Sequence, residues 1–235
     1  RGLGDVYKRQ EYTMRLKPLY STFNIMNSQD QMDIYQELDQ KGYLNYAGTA
    51  NAADSGIYGK MYQLISQYDE TTGQFGLANT DEAKAAYLRA AEYRNTDWFD
   101  RLFTYNLQHN HSLSVSGGTE KANYYVSIST LQDPGWTLQS SVQRYTGNVN
   151  TTIKVFDKVS FNLISNASYR KQTAPGTISS DVDAVSGEVK RDFDINPYSY
   201  ALNTSRALDP DEFYTRNYAP FNIFSELNNN YMDLS

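Results

Sequence analysis

The sequence predicts a mainly β protein with a helical insertion, its β part a partial antiparallel transmembrane β-barrel. Three observations predict this. Four segments between Asn95 and Tyr169 alternate apolar and polar residues. Each segment is about 9 to 11 residues long, enough for a tilted strand to cross a bilayer core of ~30 Å. Short turns also alternate with a longer loop, the habit of outer-membrane barrels.

The alternation divides named residues between two faces, because neighbouring side chains on a strand point to opposite sides. Leu113 and Val115 oppose Gln108, Asn110, Ser112, Ser114 and Ser116. Tyr124, Val126 and Ile128 oppose Tyr125, Ser127 and Ser129. In the third segment Tyr145, Val149 and Ile153 oppose Asn148 and Asn150, and in the fourth Phe161, Leu163 and Tyr169 oppose Asn162 and Asn166. The lipid-facing candidates are therefore Tyr124, Val126, Ile128, Tyr145, Val149, Phe161, Leu163 and Tyr169. The lumen-facing candidates are Ser127, Ser129, Asn148, Asn150, Asn162 and Asn166.

A soluble sandwich with one solvated face would alternate in the same way. Two features favour the membrane wall. Gly117-Gly118-Thr119-Glu120-Lys121 and Val155-Phe156-Asp157-Lys158 carry tight-turn chemistry, whereas 132–142, with Pro134-Gly135, is a longer loop. Tyr124 follows a short turn while Tyr145 and Tyr169 lie at long-loop ends, which are girdle positions at water interfaces.

Taken in order, residues 1–10 resemble translated sequencing-adapter sequence and are set aside. Residues 11–26 hold the first strand region, read as Tyr12 to Phe23 with Pro18 tolerated at an edge or end. Residues 27–105 form a helical insertion. Ser28 and Gln31 fit a capping box for a helix to Gln40, ended by Gly42. A short helix is expected near Tyr58 to Tyr68 in an otherwise loop-like stretch. Thr80 caps a helix to Tyr93, and a third helix spans Asp97 to Phe103. The four strands occupy 106–170. Residues 171–235 form an irregular loop, with turn signals at Pro175-Gly176, Asn196-Pro197 and Asp209-Pro210, a short helix within 220–230, and the approach to a strand beyond the chain. If the tight turns mark the periplasmic rim, both long excursions are extracellular. The chain has no signal peptide and stops without a terminal signal, which is expected of a fragment of a longer gene.

Composition narrows the partners. The 40% hydrophobic and 14% aromatic content is that of an ordered protein, and the lack of ~20 consecutive apolar residues rules out a transmembrane helix. A mean hydropathy of -0.66 suits a barrel, since only alternate residues meet lipid. With no cysteine there is no disulfide, thiol catalysis or thiolate metal site, and a net charge of -6 without a basic stripe argues against nucleic acid.

Candidate chemistry is sparse. His109 and His111 lie two apart, so their rings share a face and could bind a metal. That face is apolar and no third ligand is evident, so packing is the expected role and no metal or cofactor is assigned. Asp97 with Asp100, and Asp209 with Asp211 and Glu212, are the best carboxylate clusters for acid-base chemistry, but the first suits a helix start and the second a turn. Asp181, Asp183, Gly187 and Asp192 resemble a calcium loop that fails at Val185. Asn150, Asn166 and Asn203 head N-glycosylation patterns, two of them inside strands. No enzyme is expected.

Several motifs in order and spacing carry a resemblance. Asn95-Thr96-Asp97-Trp98-Phe99-Asp100, then His111-Ser112-Leu113-Ser114-Val115-Ser116-Gly117-Gly118, then Tyr124-Tyr125 and Arg144-Tyr145, resemble the early barrel of SusC/RagA-type TonB-linked outer-membrane transporters. Met26-Asn27-Ser28 and Asn196-Pro197-Tyr198 fit the same pattern, and Asn95, Asp97, Trp98, His111, Ser114, Gly117 and Gly118 are its signature positions here. The resemblance implies about five strands of a barrel of about 22, in a Gram-negative, Bacteroidetes-like outer membrane. It implies a SusD-like lipoprotein, a TonB energy-transducing complex reached through parts outside this chain, an oligosaccharide or peptide substrate, and outer-membrane lipid as partners. The alternative is a soluble or surface β-rich carbohydrate-binding module using exposed tyrosines and Trp136.

Overall fold

The computed structural model describes residues 4–44, 56–176, 180–182, 185, 189–191, 196–216, 219–229 and 231–234. Its elements in order are β1 (Asp5–Arg15), α1 (Ser28–Gln40), α2 (Ile57–Ser66), β2 (Tyr68–Asp69), β3 (Gln74–Phe75), α3 (Asp81–Arg94), α4 (Trp98–Leu102) and β4 (Asn106–Gly118). They continue as β5 (Ala122–Asp133), β6 (Ser141–Phe156), β7 (Val159–Pro175), β8 (Ser180–Val182), β9 (Val189–Arg191), α5 (Pro197–Asn203), β10 (Tyr214–Arg216), β11 (Ala219–Phe221), α6 (Ile223–Asn229) and β12 (Tyr231–Leu234). They fall into two units: one holds β1, β4 to β9 and β12, the other the helices with β2, β3, β10 and β11.

In the first unit six strands form one antiparallel sheet in the order β1-β4-β5-β6-β7-β12. The four expected strands are present, and the turns between them are as short as expected. Thr119 N–H donates to the Ala122 carbonyl at 2.6 Å to close the first, and Asp157-Lys158 forms the second. At the other end β5 and β6 are joined through 134–140, where Gly135 has φ 90° and Gln139 φ 54°. The sheet does not close into a barrel: β1 and β12 are open edges. Six strands are fewer than the eight of the smallest closed membrane barrels.

Two strand expectations are corrected. The first strand is Asp5–Arg15, in register from Asp5 opposite Ser116 to Arg15 opposite Asn106, rather than Tyr12 to Phe23. Pro18 lies beyond it, and Tyr20–Thr22 is a 3-10 turn. Pairing on a sheet edge satisfies backbone groups and makes little demand on side chains, so Asp5–Gln10, with their adapter-like sequence, fill the β4 edge. The last strand also lies within the chain, as β12 pairs Tyr231 with Pro175 through Leu234 with Gln172.

The second unit supplies the buried core. Among the described residues every buried large apolar side chain is here, including Ile57, Met61, Trp98, Phe99, Leu102, Phe103, Leu208, Ile223 and Leu227. Phe99 is its hub: its ring lies 4.7 Å from Tyr20, 5.4 Å from Phe23, 5.6 Å from Phe103 and 5.7 Å from Tyr198, centroid to centroid.

Helix starts follow their caps, with one exchange of roles. Thr80 Oγ1 accepts from Ala83 N–H at 3.2 Å and Asp97 Oδ1 from Asp100 N–H at 2.9 Å, as expected. The cap of α1 is Asn27, whose Oδ1 accepts from Asp30 N–H at 2.9 Å. Ser28, expected as the cap, is buried instead: its Oγ donates to the Glu92 carbonyl at 2.6 Å and accepts from Asn95 N–H at 3.0 Å. The capping-box partner Gln31 accepts from Ser205 Oγ at 2.6 Å. Asn196, read as a turn, caps α5 by accepting from Tyr198 and Ser199 N–H, with Pro197 in its first turn. The β2–β3 hairpin stands where a loop was expected.

Candidate functional site

Cross-strand register fixes which side chains share a face. Val126 faces Val115 on one side and Val149 on the other, Ile128 lies between Leu113 and Gly147, Tyr145 pairs with Tyr169, and Ile153 with Phe161. All eight residues read as lipid-facing therefore lie on one face. Ser114 pairs with Ser127, Ser127 with Asn148, Asn148 with Asn166, and Thr152 with Asn162, so all six residues read as lumen-facing lie on the other. Cross-strand side-chain bonds stitch that polar face: Asn148 Nδ2 donates to Ser127 Oγ at 3.2 Å, Thr152 Oγ1 to Asn162 Oδ1 at 3.2 Å, and Asn110 Nδ2 to Glu11 Oε2 at 3.3 Å.

The apolar face is graded along the strands. Rows of Val115, Val126 and Val149, then Leu113, Ile128 and Gly147, give way to a row of His111, Thr130, Tyr145 and Tyr169. The next row, His109, Gln132, Gln143 and Lys171, is polar. Gly147 beside Ala167 leaves an open hollow of about 840 Å³ bordered by Leu113, Ile128, Tyr145 and Tyr169. Among the described residues Ile128, Leu163 and Phe161 on this face are 59%, 59% and 70% exposed.

Signature residues of the motif run take structural roles. Gly117 stands opposite Tyr124, whose hydroxyl would lie 2.6 Å from a Cβ added there. At Gly118 an added Cβ would come within 2.9 Å of the Ala122 carbonyl oxygen. Asn95 ends α3 in the left-handed region at φ 47°, Asp97 caps α4, and Trp98 is buried with its indole N–H on the Ser205 carbonyl.

Around Trp98 lies a set of contacts that carries no sequence signal, because its partners are more than 100 residues apart. Thr96 N–H donates to the Arg206 carbonyl at 2.7 Å, Arg206 Nε returns a bond to the Thr96 carbonyl at 3.1 Å, and Thr96 Oγ1 donates to the Leu208 carbonyl at 2.7 Å. Arg94 donates to the Ala207 carbonyl and pairs with Asp209 at 3.3 Å, while Lys60 pairs with Glu212 at 3.2 Å. Burial raises the Tyr20 and Tyr87 phenols well above their ordinary range, and pushes Tyr58 and Tyr214 up to about 12.

The carboxylate clusters are thus structural: Asp97 is a cap, Asp209 and Glu212 are ion-paired, and Asp209 Oδ1 also accepts from Asp211 N–H at 3.0 Å. Asn203 Nδ2 donates to the Ser199 carbonyl at 2.9 Å, and Asn150 and Asn166 sit in paired strands. Asp183, Gly187 and Asp192 lie outside the described residues. His109 and His111 come together, their ring centroids 5.3 Å apart, with the Tyr12 ring 5.8 Å from His111.

No helix among the described residues is long and apolar enough to cross a membrane. No protein-family model matches the chain. Curated proteins do. The chain is 31% identical over 121 residues to TonB-dependent receptor P26 of Formosa agariphila, a stretch covering 48% of this chain and 12% of that protein. It is 34% identical over 70 residues to TonB-dependent receptor SusC of Bacteroides thetaiotaomicron, covering 29% of this chain and 7% of that protein. It is 33% identical over 76 residues to TonB-dependent receptor P3 of Formosa agariphila, covering 32% and 8%. The matched stretches thus span 12% or less of these relatives' lengths. All three bear the name TonB-dependent receptor. Over the matched stretches the chain is a sequence relative of TonB-dependent receptors, SusC among them.

Proposed function

We propose that the chain is part of the barrel wall of a TonB-dependent outer-membrane transporter of the SusC kind, importing glycans or peptides together with a SusD-like surface lipoprotein. The observation that carries this reading is a sheet that buries no large apolar side chain among its described residues. Its polar face would line the lumen and its apolar face would meet lipid. In water that exposed face would be a liability, whereas in a bilayer it is the surface that stabilises. A soluble sandwich would need a second layer over Val126, Ile128, Phe161 and Leu163, which are 39% to 70% exposed.

Dimensions agree. Ten residues separate Val159 from Tyr169, about 34 Å of strand. At a tilt of about 40° that spans about 26 Å, close to the ~25 Å apolar band of outer-membrane barrels. Ala122 at the start of β5 pairs with Ile153, while β6 runs on to Phe156. Such stagger is what barrel closure requires. Both helical excursions leave the sheet at the end opposite the tight turns, so in this reading they stand outside the cell.

Nitroxide labels at Ile128, Leu163, Asn148 and Asn166 in the lipid-reconstituted protein test the reading. Labels at the first two should be quenched by oxygen dissolved in the bilayer, and those at the last two by an aqueous nickel chelate. Equal aqueous access at all four would overturn it.

A further inference from the structure

We propose that His109 and His111 together form a two-histidine site for a divalent transition metal of the zinc, nickel or copper kind. The two residues are i and i+2 on β4, and their ring centroids are 5.3 Å apart. Imidazole nitrogens lie about 2.0–2.1 Å from such an ion, which places two ring centroids on one tetrahedral ion about 5 Å apart. The rings already stand at that separation.

A second observation points to a ligand. His109 Nδ1 and Thr130 Oγ1 are both shut off from solvent without a hydrogen-bond partner among the described residues. Thr130 pairs with His111 across the strands, so both unpartnered atoms belong to the same patch of the same face. Buried polar atoms left without partners are rare because each costs about 1–3 kcal/mol. Imidazole selects borderline metals over calcium or magnesium, which prefer oxygen ligands. No group of three or more His, Cys, Asp or Glu gathers among the described residues. The remaining coordination positions therefore fall to water or the Thr130 hydroxyl, and the site responds to metal level rather than holding a permanent ion.

The chain contains two histidines in all, which gives a direct readout. Diethylpyrocarbonate modification of the full chain in detergent, followed at 240 nm, should slow at both histidines when zinc or nickel chloride is added, and recover with chelator. Calorimetric titration with the same salts should saturate at one ion per chain. His109→Asn or His111→Asn should each weaken binding about tenfold or more, while Asn110→Ala, on the opposite face, should leave it unchanged. Unprotected histidines, or metal binding as tight in both histidine variants as in the parent chain, would show that water alone fills the patch and overturn the proposal. The protection assay needs no substitution, so a variant that fails to fold does not affect it, and it is independent of whether the sheet spans a membrane.

Discussion

The indole N–H of Trp98 donates to the carbonyl of Ser205 at 3.0 Å, across 107 residues of sequence. Two excursions from the sheet are joined there into one hydrophobic core. Trp98→Ala should destabilise the helical unit by about 3–5 kcal/mol through cavity formation. Trp98→Phe should cost about 1–3 kcal/mol, because the Ser205 carbonyl loses its buried donor. Denaturant unfolding followed by near-ultraviolet circular dichroism measures both. A Trp98→Ala chain as stable as the parent would refute this account of the core.

Asn27 and Ser28 divide work expected of one residue. Asn27→Ala should cost about 1 kcal/mol as a lost cap. Ser28→Ala should cost about 1–3 kcal/mol, since a buried donor–acceptor pair is lost. Urea midpoints of the two variants give the order. If Asn27→Ala is clearly the worse, the Ser28 bonds to Glu92 and Asn95 do not carry the weight assigned to them.

Glycines test the sheet in opposite senses. A Cβ at Gly135, with φ 90°, would lie 1.5 Å from the Ser140 backbone oxygen, whereas one at Gly147 meets nothing within 4 Å. Gly135→Ala should prevent the long loop from closing and cost more than about 3 kcal/mol, while Gly147→Ala should stay within about 0.5 kcal/mol. Folded yield and unfolding midpoint in detergent separate them.

If the apolar face meets lipid, charge is costly there and tolerated opposite. Leu163→Arg should lose about 2–4 kcal/mol of stability in a bilayer, and Asn166→Arg much less. Equal losses measured by reversible unfolding from vesicles would assign both faces to water.

The helical unit should be alkali-labile. Burial, aided by the Asp39 carboxylate, pushes the Tyr58 phenol up to about 12. Burial does the same for Tyr214 against the lowering effects of the Asp209 N–H and Arg94. In the unfolded chain both ionise near 10.0, so the folded state holds these protons more tightly. Their contribution is complete below pH 10 and is lost as pH rises through 12. The last part of the rise in tyrosinate absorbance at 295 nm, after the exposed tyrosines have ionised, should therefore accompany unfolding, and a Tyr58→Phe or Tyr214→Phe chain that loses absorbance only from the early part would contradict their burial.

The β4 to β7 block was legible because a two-residue period is a local signal, and register converts it directly into faces. Thr80 was legible as a cap, and Asp97 as a residue suited to a helix start, because those signals are local too. The α5 helix carries an ambiguous signal, because Asn196 followed by Pro197 serves a helix start as well as a turn. The β12 strand is four residues long, too short for alternation to declare itself. Ser28, Gln31 and Arg206 were illegible in principle, since Ser28 depends on partners 64 and 67 residues away and the other two on partners in another excursion. The separation of the His109 and His111 rings was illegible too, because their i, i+2 spacing permits it but does not set it.

The chain order of those excursions constrains how the protein is made. Thr96 and Trp98 leave the ribosome more than 100 residues before the carbonyls that complete them, and four long strands are synthesised in between. Throughout that interval the aromatic residues around Phe99 lack part of their cover. The core is thus complete only when residues 196–216 and 219–229 are present, and a chain cut anywhere in β5 to β7 would strand a half-built helical core rather than release a finished one.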